Sequence, residues 1–382
     1  MKFNCWVVWA VLFSGWCANL NAQHLKILWI GNSFSIYGPY NVPQYLSNMV
    51  ASDGNTITIN TSQIIMGSHL DERVGSGPYT SQTSAAITSD QWDYVILQEQ
   101  SQKPAWLNLT AVNNEFYEPV RILNQQIKAH NPCTRVMFYM TWGYRYGDNM
   151  NVPNDTYTGM QQRLYNGYMN IAEELNEPVS PVGWAFRRAL QLNPNIVLWD
   201  ADNRHQNALG AYLSACVFFA RLYNKSPVGL WHPADITPQQ ALFLQQVAAE
   251  VVLNDLELWN HNTRPQFSPF NPSSNSPICS GQTLHLSANG PANLTYHWTG
   301  PNNFAATGAT VSRNNVTSAE VGSYMVRAMD SQGCRSEIER VNTQILTTAS
   351  IEPVSTIVCV GDTIRLKTAT VPNAVYFWSG PN

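Results

Sequence analysis

Two short stretches far apart in this chain carry residue types that could together perform nucleophilic chemistry. In ILWIGNSFSIYG, residues 27–38, an apolar run stops on Gly31, Asn32 and Ser33. A serine at a strand-to-helix turn presents its hydroxyl above the sheet, and free N–H groups there can face an oxyanion. In DADNRHQNALGAYLSA, residues 200–215, Asp202 and His205 stand three apart just before a helical stretch. At that spacing a carboxylate can accept from one imidazole nitrogen and leave the other facing a serine. Asp200 is a competing carboxylate that only the spacing disfavours. Taken singly, the first motif is most often a turn and the second a solvated pair; their weight comes from the elements that would bring them together.

Those elements alternate. LKILWI, TITIN, DYVILQ and RVMFYM read as strands, three of them almost continuously apolar, as parallel strands covered on both faces are. Helical patterns lie between and after them: VPQYLSNMVAS, FYEPVRILNQQIKAHN, GMQQRLYNGYMNIAEELN, GWAFRRALQL, LGAYLSACVFFARLYN and PQQALFLQQVAAEVVLNDLELWN. Strands alternating with helices predict an open, doubly wound α/β sheet over residues 23–262, with ligands bound at the carboxyl ends of the strands. Ser33 falls at one such end, and Asp202 and His205 precede a late helix.

With both stretches in hand the chain resembles the SGNH (GDSL-type) hydrolase family. Its nucleophile lies in a Gly-Asp-Ser block after the first strand, and its Asp-x-x-His lies before the last helices. The resemblance implies a three-layer α/β/α sandwich with a flavodoxin-like parallel sheet. It makes Ser33 the nucleophile, His205 the general base and then acid, and Asp202 its orienter, with Asn32 in place of the usual Asp. It also implies an oxyanion hole from the N–H groups of Ser33 and Gly67 and the side-chain amide of Gln100. Gly67 stands in IIMGSHLDER after the second strand, and Gln100 in VILQEQSQKP, where the usual Gly-x-Asn-Asp is missing and Gln98 is a rival. His69 and Trp142 are candidate substrate-binding residues, the latter as a platform for a sugar, although a core role is common for such an aromatic. The resemblance points to a secreted serine esterase that removes O-acetyl groups from carbohydrate. The rival reading is a glycan-binding or adhesin-like surface protein without catalysis, favoured by Asn32 and the missing Gly-x-Asn-Asp. No Gly-x-Ser-x-Gly elbow is present, and no His or Cys cluster has zinc-site spacing, so neither metal nor cofactor is expected.

The rest of the chain suits a secreted protein. Lys2 precedes the apolar run CWVVWAVLF, and Ala22 offers a cleavage point, which reads as a signal peptide over residues 1–22. No later stretch has the ~20 apolar residues of a membrane span. Charged residues make up 12% of the 382 and the formal net charge is −4, so there is no basic stripe for nucleic acid. Residues 263–277, rich in Pro, Ser and Asn, read as a linker. Beyond it PICSGQTLHLSA matches IVCVGDTIRLKT, and YHWTGPN matches YFWSGPN, with both Cys279 to Cys359 and Trp298 to Trp378 spanning 80 residues. That repeat resembles immunoglobulin-like or PKD-like β-sandwich modules, one over residues 278–348 and a truncated second over 349–382. Within the complete copy Cys279 and Cys334 are the expected disulfide, and Cys359 would find its mate beyond Asn382. Cys133 and Cys216 read as buried thiols or a structural disulfide. Oligomeric state is not legible.

Overall fold

The computed structural model describes residues 24–261, 270–331 and 333–346, with the backbone of 351–353 and 366–368. The signal peptide, residues 263–269 and most of the second repeat, including Cys359 and Trp378, lie outside the described residues. The chain divides into two compact units: one reaches Asp255, and the other holds Leu222–Asn224 and everything from Leu256 on.

In the first unit, β1 (His24–Gly31) runs straight into the core, buried throughout its second half. A two-residue hairpin, β2 (Ile36–Tyr37) and β3 (Tyr40–Asn41), follows it and leads directly into α1 (Val42–Ser52). Asn41 caps that helix by accepting the Gln44 N–H at 2.9 Å, and Pro43 sits in its first turn, where no N–H is needed. Then come β4 (Thr56–Ile64), α2 (Thr80–Thr88), β5 (Tyr94–Leu97), the one-turn α3 (Leu109–Val112), α4 (Glu118–His130) and β6 (Arg135–Tyr139). The unit continues with α5 (Tyr157–Leu175), β7 (Val179–Ser180), α6 (Val182–Leu192), α7 (Ala208–Tyr223) and α8 (Pro238–Leu253).

The five strands β4-β1-β5-β6-β7 form one sheet, parallel throughout. This is the flavodoxin-like order that the resemblance implies. Every residue of β5 and β6 is buried, as parallel strands covered on both faces require. The strand order reverses between β1 and β5, so the segments that leave those two strands open a crevice at the carboxyl edge. Gly31–Ser33 leaves on one side of it and Gln98–Gln100 on the other.

The second unit holds two antiparallel sheets. β10 (Thr295–Gly300), β11 (Phe304–Thr307), β13 (Ser323–Met329) and β14 (Glu339–Asn342) make one, in the order β11-β10-β13-β14. β8 (Ser273–Ser274), β9 (Leu284–Ser287) and β12 (Thr310–Arg313) make the other, in the order β12-β9-β8. Alternate residues are buried along the strands, Tyr296 and Trp298 on β10 and Tyr324 and Val326 on β13. Residues 270–277, read from composition as linker, instead carry β8 and the buried Phe270. A further antiparallel pair, β15 (Ile351–Pro353) and β16 (Leu366–Thr368), belongs to the second repeat.

The cysteines correct the expected pairing. Cys334 and Cys133 are each in a disulfide, whereas Cys279 and Cys216 carry free thiols. The Cys279–Cys334 bridge is therefore not formed, and Cys133 does not pair with Cys216. Sequence spacing within a repeat fixes neither which Cβ atoms meet nor at what distance.

Candidate active site

Ser33 sits two residues past β1, in a turn closed by the Ser35 N–H donating to the Asn32 carbonyl at 2.9 Å. A buried amide locks this turn. Gln98 Oε1 accepts from the Asn32 N–H at 2.8 Å and from Ser35 Oγ at 3.0 Å, while its Nε2 donates to Asn32 Oδ1 at 2.9 Å. Gly31 makes room for that lock: a Cβ there would stand 2.6 Å from Gln98 Oε1 and 2.9 Å from Ser35 Oγ. Asn32, where the resembled family carries Asp, uses both ends of its amide. Oδ1 accepts the Phe34 N–H at 3.1 Å, and Nδ2 donates to the Ser68 carbonyl at 2.8 Å. A carboxylate could make only the first of these bonds. Gln98 is thus committed to shaping the turn, which removes it as a rival oxyanion donor.

The three chemical residues meet at the carboxyl edge. His205 Nε2 lies 2.8 Å from Ser33 Oγ, and Nδ1 lies 2.5 Å from Asp202 Oδ2. An ionised carboxylate can only accept, so the ring proton sits on Nδ1 and Nε2 is left to accept from the serine hydroxyl. Asp202 Oδ1 accepts the N–H groups of Arg204 and His205, each at 2.9 Å. Partial burial works against ionisation of Asp202, but the His205 ring and these two N–H groups outweigh it and hold its carboxyl below the usual carboxylate range. Asp200 takes no part in orienting the ring; its N–H donates to the His205 carbonyl, and its own carbonyl accepts from Asn203.

Aromatic rings and backbone bonds fix the loop that carries His205. Tyr37, on the hairpin, lies flat on the imidazole with centroids 4.0 Å apart and 3° between planes, and Phe34 packs at 4.9 Å. The Asp202 charge, with burial second, lifts the Tyr37 phenol above its ordinary value, so that ring stays neutral. Gln206 Nε2 donates to the Ser33 carbonyl at 3.2 Å, and the Arg145 N–H donates to the Asn203 carbonyl at 3.0 Å. Trp142 is wholly buried, stacks on Phe186 at 4.4 Å and donates Nε1 to the Arg204 carbonyl at 2.9 Å. A side chain with no exposed face cannot stack on a sugar, so Trp142 is a core anchor of the His205 loop and not a binding platform.

Of the expected oxyanion donors, the N–H groups of Ser33 and Gly67 donate to no atom among the described residues. Gly67 has φ +69°, a conformation that costs a residue with a Cβ and that glycine adopts freely. The Gln100 amide is engaged: Nε2 donates to Gln102 Oε1 at 3.0 Å and to the Tyr144 hydroxyl at 3.3 Å. An oxyanion would have to take over one of these bonds. His69 has its N–H on Glu72 Oε2 at 2.9 Å and its ring nitrogen Nδ1 3.9 Å from Asp71 Oδ1. Burial first and Lys103 second lower the His69 imidazole below its ordinary value.

Sequence reasoning missed Tyr37, Arg73 and Glu99. Arg73 is buried and donates Nη2 to the carbonyls of Gly31 and Gln63, each at 3.0 Å, and to Ser68 Oγ at 2.7 Å. It therefore clips the ends of β1 and β4 to the Gly67 loop, and burial lowers its guanidinium to about 10. Its signal in sequence, DER after a glycine turn, is indistinguishable from a solvated loop. Beside the triad, Tyr144, Tyr146, Asp148, Asn149, Asp202 and Arg204 are among the residues lining an open cavity of about 220 Å³.

No family model and no curated protein matches the chain. Solved structures do. A DUF4886 family protein from Bacteroides uniformis superposes with a TM-score of 0.51 at 20% identity, covering 60% of this chain and 95% of that one. A candidate SGNH hydrolase from Slackia heliotrinireducens matches with a TM-score of 0.42 at 24% identity, over 52% of this chain and 98% of its own. A candidate GDSL-like lipase from Parabacteroides merdae matches with a TM-score of 0.38 at 16% identity, over 52% and 96%. The likeness to the DUF4886 family protein, at 20% identity, is one of fold.

Proposed function

We propose that the protein is a serine esterase acting through Ser33, His205 and Asp202. The observation that carries this reading is the unbroken chain from Asp202 Oδ2 through the His205 ring to Ser33 Oγ, at 2.5 and 2.8 Å. Ser33 Oγ attacks the ester carbonyl carbon as its proton passes to His205 Nε2, and Asp202 stabilises the imidazolium that forms. The new oxyanion is met by the N–H groups of Ser33 and Gly67, with the Gln100 amide as third donor. Collapse of the tetrahedral intermediate expels the alcohol, which takes the proton from Nε2, and leaves an acyl-serine. Water, deprotonated by the same nitrogen, then releases the acid and restores Ser33.

The finer reading is an O-acetyl group on carbohydrate. It rests on the cavity beside Asp202, where Tyr146 is 62% exposed and the Arg204 guanidinium lies over the Tyr144 ring at 5.1 Å without a carboxylate partner among the described residues. An exposed tyrosine beside a guanidinium that has no carboxylate partner among the described residues suits a hydroxyl-rich leaving group. The test is acetate release from acetylated xylan or pectin, with long-chain esters as comparison and Ser33→Ala as control. Release from the glycans that disappears in Ser33→Ala supports the reading. Turnover of long-chain esters alone would overturn the carbohydrate assignment, and turnover retained by Ser33→Ala would overturn the esterase.

A further inference from the structure

Glu99 stands between Gln98 and Gln100 at the end of β5, yet its carboxyl group is fully buried and takes no part in the reaction described above. Its two oxygens point in different directions along the chain. Oε1 accepts the Gln100 N–H at 2.6 Å, and Oε2 accepts the Leu70 N–H at 3.1 Å. Leu70 belongs to the segment that begins at Gly67, and Gln100 carries the third oxyanion donor. One carboxylate therefore joins the two loops that flank the nucleophile turn. The residue's backbone is held as well, since its carbonyl accepts Gln98 Nε2 at 2.6 Å and its N–H reaches the Tyr168 hydroxyl of α5 at 3.4 Å.

We propose that Glu99 is a positioning residue for acyl transfer, whose carboxylate sets the placement of the Gly67 and Gln100 loops around Ser33. This rests on the esterase reading. The charged and titratable groups that face Glu99 are Arg73 and Asp71 from the 71–73 turn, Lys103 from the turn after Gln102, and Tyr168 from α5. Lys103 is itself paired with Asp71 at 2.8 Å and Glu115 at 3.2 Å, which divides its charge among three carboxylates. Burial dominates and pushes the Glu99 carboxyl up to about 8, against the opposing pull of Lys103 and the two N–H groups. When ionised it can accept both N–H bonds. A proton on either oxygen weakens one of them and loosens the bridge, so the oxyanion loops tighten as pH rises through about 8.

Glu99→Gln, close in shape to the protonated acid, tests this on a small acetate ester. In the wild-type protein kcat gains a rising limb near pH 8 that the variant lacks, so the ratio of the two widens roughly tenfold between pH 6 and pH 9. That is less than the hundredfold or more lost with a whole oxyanion donor. KM changes less than kcat. In a wild-type sample selectively labelled at Leu and Gln amides, the Leu70 and Gln100 N–H resonances titrate with a midpoint near 8, and in the variant they are flat. Parallel pH profiles for the two proteins, or wild-type amides that do not titrate, would overturn the role of Glu99 even if the esterase stands. Ester turnover that survives Ser33→Ala would instead remove the esterase reading, and this inference with it.

Discussion

At the residue scale, Asp202 shows how much of the arrangement one carboxylate supports. It orients the imidazole with Oδ2 and holds the loop's own N–H groups with Oδ1. Asp202→Asn keeps the shape but can present an N–H₂ to Nδ1, which favours the wrong tautomer. We expect kcat to fall by roughly three to four orders of magnitude with little change in melting temperature, as measured by ester turnover and calorimetry. Asn32 gives the opposite kind of prediction. Asn32→Asp would face a carboxylate oxygen to the Ser68 carbonyl in a buried site, so about 1–3 kcal/mol of stability should be lost, read from urea unfolding. Ser33, His205 and Asp202 can be singled out in the sequence because each motif is local: a strand ending on a glycine turn, and a carboxylate three residues from a histidine. Arg73 and Glu99 cannot, since nothing in DER or QEQ distinguishes a buried charge from a solvated one. Their burial depends on loops that arrive from other strands. Composition cannot say which way the Trp142 ring points, and the ring is buried.

At the element scale, the strands that build the crevice announce themselves by length and continuous apolarity, and the helix predicted over VPQYLSNMVAS matches α1 from end to end. Two elements gave no usable pattern. β7 is only two residues long and is recruited by pairing with β6. α2, with sequence TSQTSAAIT, has few apolar residues to set a period and is held in part by the Thr83 hydroxyl on Gln63 Oε1 at 3.0 Å. A buried cross-element clip helps hold the edge of the sheet. Arg73→Ala would remove a buried donor from the carbonyls of Gly31 and Gln63 and from the Ser68 hydroxyl, while the Gly31 carbonyl keeps the Ile65 N–H at 3.0 Å. About 1–3 kcal/mol of stability should be lost, with activity falling at temperatures where the protein remains folded; thermal unfolding alongside ester turnover checks both. A melting temperature equal to that of the parent would show that the clip contributes nothing.

At the scale of the whole molecule, proton linkage and thiol chemistry give the clearest consequences. The Glu99 carboxyl has a higher pKa folded than unfolded, so the folded state binds more protons between about 4.5 and 8, and stability falls as pH rises through that window. The loss attributable to this group is on the order of a few kcal/mol, and Glu99→Gln should flatten the slope in denaturant titrations run from pH 5 to pH 9. Asp202 works in the other direction at acid pH, since its lowered value removes stability only as the carboxylate protonates. The cysteines should separate into three classes by alkylation and mass spectrometry. Half-exposed Cys279 reacts in the native protein, and Cys216, buried with its thiol pushed up by desolvation, reacts only after unfolding. Cys133 and Cys334 react only after reduction. Among the described residues no helix is long and apolar enough to cross a membrane.

If the contacts from Asp202 to His205 to Ser33 make this serine a nucleophile, a fluorophosphonate probe will label it, which mass spectrometry can map. Modification is expected at Ser33 alone, abolished in His205→Ala and strongly slowed in Asp202→Asn. A folded wild-type protein that leaves Ser33 unlabelled, or a His205→Ala variant labelled at the wild-type rate, would contradict this expectation.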